Sequence, residues 1–314
     1  MRGCLRQVTL LARSALNTRT NDDGPNTSHN SGMPPLTPPC IDTHCHIFDP
    51  ARFPYAADTV YRPQGQEAGS ADTLVHTMDA HGIRHALLVG PNSGYGTDNR
   101  CLLDALTRHP TRFKGVAVVR NGAPLDELAA LQAAGVVGVA FNVALHGGAH
   151  YSDIGPLLQR MASLGLFANV QVQLQQLPEV LPLLQASGVH LVFDHCGRPD
   201  VAAGLAQPGF QALLALGRDH REGNERRVRV KLSGFAKFSA QPFPWADTHA
   251  YVHALLDAFG PEGCLWATDW PFLRAPERID LGPLMALAQT LMPDVTVRQQ
   301  VMWHNPRRLL GFHT

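Results

Sequence analysis

The chain has 314 residues, of which 45% are apolar and 17% are charged, which is enough apolar material for a large packed core. Its 26 basic and 26 acidic side chains balance, so no net charge favours nucleic acid or an anionic membrane, and we expect neither as a partner. No apolar run reaches the roughly 18 residues that a membrane-spanning helix needs. The six cysteines are scattered without CxxC pairs, which indicates free thiols and a cytoplasmic protein. The sequence leaves the oligomeric state open.

The first 39 residues differ in composition from the rest of the chain. Four arginines precede the first acidic residue, Asp22, and positions 21–39 are rich in Asn, Ser, Thr, Gly and Pro. Such a segment cannot bury enough apolar surface to order itself. We therefore predict a disordered leader at 1–39 and one folded domain at 40–314.

From residue 41 onward, short apolar runs alternate with longer stretches of helical periodicity. Eight runs are predicted as strands, at 41–48, 85–91, 113–119, 136–142, 167–173, 190–196, 227–233 and 264–270. Helices are predicted between and after them, at 71–81, 98–108, 125–134, 153–164, 178–186, 210–220, 247–259 and 283–292, with a closing helix at 296–310.

Apolar strands that alternate with helices belong to parallel sheets covered on both faces. Eight such units within about 270 residues are typical of a (β/α)8 barrel. No GxGxxG or Walker A sequence follows any strand, which argues against a doubly wound nucleotide-binding sheet. The prediction is an α/β protein, a single-domain TIM barrel.

Catalytic side chains of such barrels lie at the C-terminal ends of the strands. His44 and His46 share one face of the first strand, because alternate residues of a strand point the same way. His195 ends the sixth strand and Asp269 ends the eighth. Packing alone does not explain three histidines and an aspartate at the same end of three strands, so these four are the candidate catalytic residues.

Other polar residues at that end are candidates for binding substrate or for bracing the barrel. Asp194 and Lys231 are expected to be structural, the first as a brace for its loop and the second as a lysine reaching outward from a strand end. The candidates for substrate binding come from strand ends and from loops: Asn92, Ser93, Asn142, His146, Gln171, Arg198, Lys237 and Tyr61.

Six short motifs cover all of the chain except the leader: DTHCH at 42–46, YGTDN at 95–99, GVAFN at 138–142, DHCGRPD at 194–200, KLSG at 231–234 and TDWP at 268–271. With these motifs the chain resembles the amidohydrolase superfamily, and within it the branch that includes 2-pyrone-4,6-dicarboxylate lactonase. The resemblance implies a hydrolase that opens a small-molecule lactone in carbohydrate or aromatic-compound catabolism.

The resemblance also implies roles for the four candidate catalytic residues. Asp269 would be the general base, and His44, His46 and His195 would surround the scissile carbonyl. A carboxylate half-buried among apolar residues can have its pKa raised, which suits it to take a proton from water. Imidazoles directed at the carbonyl oxygen can stabilise the charge that develops there.

The need for a metal ion is open at this point. Many superfamily members hold a divalent ion, and the resemblance implies His44, His46 and Asp269 as its ligands. The expected strand-five ligand position is Gln171, which is a weak ligand for zinc, and the pyrone lactonase branch works without a metal. We expect catalysis without a required cofactor and keep a single Zn²⁺ or Mn²⁺ as the alternative.

The substrate and the reaction also leave alternatives. The dicarboxylate lactonases place arginines near strand four, where this chain has Ala140, so a sugar lactone or another small lactone competes with the pyrone dicarboxylate. A metal-dependent amidohydrolase or decarboxylase on the same barrel is the second hypothesis. A non-catalytic binding protein is the third, and the complete set of three histidines and Asp269 argues against it.

Overall fold

The structure is a computed structural model that describes residues 39–222 and 227–312. The predicted leader lies outside the described residues, apart from Pro39. The folded part is the predicted (β/α)8 barrel, since eight strands form one sheet in which each strand runs parallel to its neighbours in chain order. These strands are β1 Cys40–Cys45, β2 Ile83–Val89, β3 Phe113–Ala117, β4 Val136–Asn142, β5 Phe167–Gln171, β6 Leu191–Phe193, β7 Val228–Leu232 and β8 Cys264–Trp266.

The seam between β1 and β8 closes the barrel through the residues that end these two strands. The amide of Asp269 donates to the carbonyl of His44 at 2.8 Å, and the amide of His46 donates to the carbonyl of Trp270 at 2.8 Å. A single parallel bridge joins Cys45 to Trp270. The closure therefore holds the first and last candidate catalytic residues side by side.

Helices connect the strands and cover the outside of the barrel. They are α1 Ala71–Ala80, α2 Arg100–Arg108, α3 Leu125–Ala133, α4 Val143–His146, α5 Gly155–Ser163, α6 Leu177–Ala186, α7 Pro208–Glu222, α8 His249–Gly263, α9 Leu281–Leu291, α10 Val295–Gln299 and α11 Asn305–Leu310. The predicted closing helix is interrupted by a π-helical turn, Gln300–His304. The short α4 was not predicted, because four residues are too few to show a helical period.

Several predicted strands are longer than the strands of the structure. β6 ends at Phe193 and β8 ends at Trp266, so His195 and Asp269 lie beyond their strands. Both residues have left-handed backbones, with φ of 51° and 64°, which cannot continue a ladder of parallel strands. The chemistry-bearing side chains are thus set by tight turns immediately after the strands.

The barrel interior is apolar below these turns. Phe167 and Val192 share the inward faces of their strands with Asn169 and Asp194 respectively, and they pack in one cluster with Leu310. The C-terminal helix thereby covers the end of the barrel at which the strands begin. The polar end, at which the strands finish, is left as the place for a site.

No helix within 39–222 or 227–312 is long and apolar enough to cross a membrane. The five cysteines of these ranges are all buried free thiols.

Candidate active site

Three imidazoles and one carboxylate converge at the C-terminal end of the barrel. His44 lies near the end of β1, His46 follows that strand, His195 opens the turn after β6, and Asp269 follows β8. The imidazole atoms surround Asp269 Oδ1, with His44 Nε2 at 3.7 Å, His46 Nε2 at 3.5 Å and His195 Nε2 at 3.7 Å. The four predicted catalytic side chains therefore meet at one point.

The hydrogen-bond partners of His44 and His46 indicate which ring nitrogen carries the proton. His46 Nδ1 lies 2.8 Å from the carbonyl oxygen of Val89, and His44 Nδ1 lies 3.0 Å from Asp194 Oδ1. Both oxygens accept, so His46 Nδ1 donates to Val89 and His44 Nδ1 donates to Asp194. Lys231 Nζ also lies 3.2 Å from His44 Nδ1, but it is closer to its two oxygen acceptors, at 2.9 Å and 2.6 Å. With these tautomers each ring presents a lone pair on Nε2. These two Nε2 atoms are 3.3 Å apart. Burial lowers the pKa of His44 to about 4, against the attraction of Asp194, and the ring is neutral at pH 7.

His195 is buried, and its hydrogen-bond partner is compatible with a proton on either ring nitrogen. Its Nδ1 lies 3.0 Å from Ser233 Oγ, a hydroxyl that can donate or accept. Gly234 packs against the ring, since a Cβ at this position would lie 2.6 Å from His195 Nδ1. Burial lowers the pKa of His195 well below its usual value, against the attraction of Asp269. His195 is therefore a neutral imidazole that can keep its proton on Nε2.

Asp269 has its two oxygens in different surroundings. Lys237 Nζ lies 2.9 Å from Oδ2, whereas Oδ1 is buried and has no hydrogen-bond partner within the described chain. Burial raises the pKa of Asp269, but the Lys237 ammonium outweighs burial and holds the pKa well below its ordinary value. The expectation of a raised pKa is wrong, because the sequence does not reveal that Lys237 reaches this carboxylate.

The unpartnered Asp269 Oδ1 and the lone pairs of His44 and His46 form a group of acceptors that lacks a donor. Converging buried acceptors are stabilised by a cation between them. Ligand atoms of a tetrahedral zinc ion lie roughly 3.3 Å apart, and His46 Nε2 is 3.3 Å from His44 Nε2 and 3.5 Å from Asp269 Oδ1. Ligand atoms of His44, His195 and Asp269 also lie within 4.8 Å of one another. These residues fit a single divalent cation.

A buried ion pair lies behind His44 and fixes its ring. Lys231 Nζ lies 2.9 Å from Asp194 Oδ1 and donates to Asn169 Oδ1 at 2.6 Å. Asn169 Nδ2 in turn donates to Asp194 Oδ2 at 2.6 Å. Burial raises the pKa of Asp194, but His44 and Lys231 outweigh it and lower that pKa below its ordinary value.

These contacts correct the expectations for Lys231 and Asp194. Lys231 does not reach outward from its strand, since it is 0% exposed. Its ammonium lies inside the barrel, where Asn169 on β5 and Asp194 directly after β6 provide its oxygen partners. Asp194 orients a candidate catalytic imidazole in addition to any support it gives its own loop.

The cluster opens into a cavity of about 570 Å³. Six of the eight predicted substrate-binding residues line this cavity, namely Asn92, Ser93, Asn142, Gln171, Arg198 and Lys237. The Nε of Arg198 is buried and has no hydrogen-bond partner in the described ranges, and burial lowers the pKa of this guanidinium, against the attraction of Asp269. A cation in this position is suited to a carboxylate, sulfonate or hydroxyl of a substrate.

Two predicted substrate-binding residues do not line this cavity. His146 lies in the neighbouring cavity, and its Nε2 is 3.4 Å from Asn92 Oδ1. Tyr61 donates its hydroxyl to Glu67, and its ring lies beneath the guanidinium of Arg274. Tyr61 belongs to a long loop, and His146 ends the short α4, which was not predicted, so the sequence pattern determined the position of neither residue.

Sequence reasoning did not identify Asn169 and Arg274. Asn169 lies on β5 two residues before Gln171 and shares its face. A polar residue inside an otherwise buried strand was the available signal. Arg274 lines the cavity from the loop after β8, and nothing in the local sequence marks it.

The fold and the site together define a class of protein. A parallel eight-stranded barrel with imidazoles and a carboxylate at the C-terminal strand ends is the architecture of barrel enzymes that activate water by a carboxylate or by a metal ion.

Comparison with known proteins gives the family. A family model described as Amidohydrolase matches residues 41–312, and the chain belongs to this family, as its motifs predicted. Among curated relatives, a 4-sulfomuconolactone hydrolase from Rhizobium radiobacter is 32% identical over 86% of this chain and 89% of the relative. A 2-pyrone-4,6-dicarboxylate hydrolase from Comamonas testosteroni is 29% identical over the same shares, 86% and 89%. The solved structure of a putative 2-pyrone-4,6-dicarboxylic acid hydrolase from Pseudomonas putida is 30% identical, with a TM-score of 0.76 over 88% of this chain and 98% of that chain.

Proposed function

We propose that this protein hydrolyses the ring ester of a small lactone. Its class, a lactonase-type hydrolase, follows from the family match together with relatives that are named for lactone hydrolysis. The observation that carries the proposal is the convergence of three imidazoles on the unpartnered Asp269 Oδ1 at a cavity of small-molecule size.

Asp269 is the proton acceptor in this proposal. Its Oδ2 is held by Lys237, so Oδ1 is the oxygen that takes a proton from the attacking water. The water oxygen bonds to the ester carbonyl carbon, and the ring C–O bond breaks as the proton passes to the leaving oxygen. The low pKa of Asp269 makes it a weak base that is ionised at every working pH.

His195 is the donor to the carbonyl oxygen. With Ser233 Oγ donating to Nδ1, the ring keeps its proton on Nε2, which faces the site. His44 and His46 present lone pairs instead and cannot donate from Nε2 while neutral. In the alternative that uses a metal, they and Asp269 would hold the divalent cation that the cluster fits, and that cation would supply a Lewis acid for the ester carbonyl.

Arg198 binds a polar or anionic substituent of the lactone. Its unpaired Nε lies in the cavity wall, and guanidinium groups bind carboxylates and sulfonates through paired N–H donors. Asn92, Ser93 and Gln171 supply neutral hydrogen-bonding groups along the same cavity. A small, polar, anionic lactone is the substrate that this lining favours.

The test compares wild type with Asp269→Asn on a panel of sugar lactones, muconolactones and pyrones. We expect the substitution to lower kcat by about 10²–10⁴-fold, the range for loss of a general base. Asp280→Asn is the matched control, because Asp280 pairs with Arg278 at the surface of the loop that follows Asp269. Full activity of Asp269→Asn on a lactone that the wild type hydrolyses would remove Asp269 from the mechanism.

Metal analysis decides between a site that uses a cation and one that does not. If the site uses the cation that the cluster fits, protein purified without chelator should carry one Zn²⁺ or Mn²⁺ per chain, and chelation should abolish lactone hydrolysis until the same ion is restored. Full activity of metal-free protein would instead favour catalysis without a cofactor. Activity on amides or carboxylic acids but on no lactone would favour the amidohydrolase or decarboxylase alternative.

A further inference from the structure

We propose that Asp42 is a positioning residue, which sets the separation between His44 and Asp269. Its buried carboxylate joins the strand that carries His44 to the turn that carries Asp269. Asp42 is 3% exposed and does not line the catalytic cavity, so it acts through the residues that it holds. Its contacts stand apart from the proposed function, whereas the effect that we expect on lactone hydrolysis rests on that function.

The turn that carries Asp269 lies beyond the ladder of β8. The pairing of β7 with β8 ends at Leu232 and Trp266, three residues before Asp269. Asp269 has a left-handed backbone, and its amide donates to the carbonyl of His44 on β1 at 2.8 Å. The position of Asp269 therefore depends on hydrogen bonds to β1 and not on a ladder with β7.

Asp42 accepts two hydrogen bonds from Thr268, the residue immediately before Asp269. The Thr268 amide donates to Asp42 Oδ1 at 3.0 Å, and the Thr268 hydroxyl donates to Asp42 Oδ2 at 2.5 Å. The same hydroxyl oxygen accepts from the amide of Trp270 at 3.0 Å. The carboxylate thus holds the residue before Asp269 directly and the residue after it through Thr268.

Asp42 also holds the backbone at His44. The pairing of β1 with β2 shifts by one residue between Asp42 and Cys45, in the segment that contains His44. Such irregularities change the direction of a side chain and are common beside active sites. The amide of His44 donates to Asp42 Oδ1 at 3.1 Å. One carboxylate oxygen therefore accepts from both sides of the seam between β1 and β8.

The arrangement requires two acceptor oxygens on one short side chain. Asp42 and Thr268 are both 3% exposed, so a donor that loses its acceptor here stays buried. A carboxylate accepts on both oxygens, and hydrogen bonds to a charged acceptor are stronger than those between neutral groups. Asparagine keeps the shape of the side chain but directs an NH2 group at one set of donors. Loss of the acceptor would let Asp269 move relative to His44 and His46, whose Nε2 atoms lie 3.7 Å and 3.5 Å from its Oδ1.

Replacement of Thr268 tests the contact without removing the buried carboxylate. Thr268→Val keeps the shape of the side chain and removes the hydroxyl that joins Asp42 to Trp270. Thr268→Ser keeps that hydroxyl and is the conservative variant, which should retain the kcat of wild type. Asp42→Asn is the direct variant, and the two Thr268 variants decide the matter if Asp42→Asn does not fold.

Thr43→Val is the matched control. The Thr43 hydroxyl is buried and donates to the carbonyl of Trp266 at 2.8 Å, across the same seam. Trp266 is also held in register by Leu232 on β7. Loss of the Thr43 hydroxyl should therefore lower Tm, as loss of the Thr268 hydroxyl does, but leave Asp269 in place.

We expect Thr268→Val and Asp42→Asn to lower kcat on a cognate lactone by about 100-fold, the effect of displacing a catalytic group by about 1 Å. The KM should change by less than about twofold, because the residues that line the cavity keep their places. Thr43→Val should keep kcat. A Thr268→Val variant with the kcat of wild type would overturn the inference. So would a Thr268→Ser variant that loses as much kcat as Thr268→Val, or equal losses of kcat in Thr43→Val and Thr268→Val.

Crystal structures of wild type and Thr268→Val give a readout that does not depend on the substrate. We expect the separation of Asp269 Oδ1 from His44 Nε2 to change by about 0.5 Å or more, the tolerance of a catalytic arrangement. An unchanged separation would overturn the inference whatever the activity. A wild type that opens no lactone, together with a changed separation in the variant, would remove the proposed function and leave the role of Asp42 in place. A wild type that opens lactones, with a Thr268→Val variant that opens them equally well, would remove the role of Asp42 and leave the lactonase in place.

Discussion

Replacement of Lys231 by methionine tests whether the buried ion pair holds the site together. Lys231 is 0% exposed, and its Nζ lies 2.9 Å from Asp194 Oδ1 and 2.6 Å from Asn169 Oδ1. Methionine keeps most of the side-chain volume and removes the ammonium. Asp194 would then remain buried with only His44 and Asn169 as hydrogen-bond donors.

The expected cost follows from leaving one buried charge without its counter-ion. Breaking a buried pair by removal of one partner costs about 3–5 kcal/mol of unfolding free energy. Each kcal/mol shifts Tm by about 2–4 °C in a domain of this size, so Tm should fall by about 6–20 °C. Thermal and urea unfolding at pH 7 measure the change. The kcat on a cognate lactone should also fall, because the ring of His44 loses its fixed orientation.

The double variant Lys231→Met/Asp194→Asn provides the control, since it removes both charges. We expect it to be more stable than Lys231→Met alone, which a double-mutant cycle reports as a positive coupling between the two sites. A Lys231→Met variant within about 0.5 kcal/mol of wild type, the range of an ordinary surface change, would refute the reasoning. A double variant that shows the plain sum of two losses would refute it as well.

Two further predictions concern the histidines. The pKa of His44 is lowered from 6.5 to about 4 by burial, so the unfolded chain binds a proton that the folded chain does not. The unfolding free energy should therefore fall as pH drops through this window, by about 3 kcal/mol from His44 alone, and His44→Gln should lose this part of the slope. An unfolding free energy that is constant from pH 6.5 to 4 would contradict it. Gly234→Ala should reduce kcat by about 100-fold, because its Cβ would lie 2.6 Å from the His195 ring, whereas Gly82→Ala, with a similar φ of 69° and no atom within 4 Å, should only lose stability. Equal kcat in the two variants would show that the His195 ring tolerates the added methyl group.

The barrel could be predicted from the sequence because the alternation of apolar runs and helical stretches is a local pattern. β4 spans the predicted residues 136–142, an apolar run that begins directly after Gly135. The ends of β6 and β8 were placed too late, since His195 and Asp269 follow short apolar strands without an intervening glycine or proline. The left-handed Asp269 donates its backbone amide to the His44 carbonyl, a tertiary hydrogen bond between residues far apart in the chain. Local propensity does not report such bonds.

Those residues of the candidate site that lie at the ends of strands could be predicted from the sequence. His44, His46, His195 and Asp269 were placed together because parallel strands bring their C-terminal ends to one rim. The contacts behind them depend on which strands are neighbours across the interior and on how far each side chain reaches. Lys231 therefore appeared as a strand-end lysine, although it lies on the buried face with Asp194.

The direction in which the Asp269 pKa is shifted also depends on a contact between residues that are distant in the sequence. This shift affects how the carboxylate acts. A carboxylate among apolar residues alone would be protonated more readily, but the Lys237 ammonium at 2.9 Å reverses this effect. The ammonium binds Oδ2 only, and Oδ1 remains without a hydrogen-bond partner among the described residues. Lys237 therefore keeps Asp269 ionised while leaving the oxygen beside His46 and His195 free to act. Loss of the Lys237 charge would let burial raise the pKa of Asp269, so this lysine sets the basicity of the site.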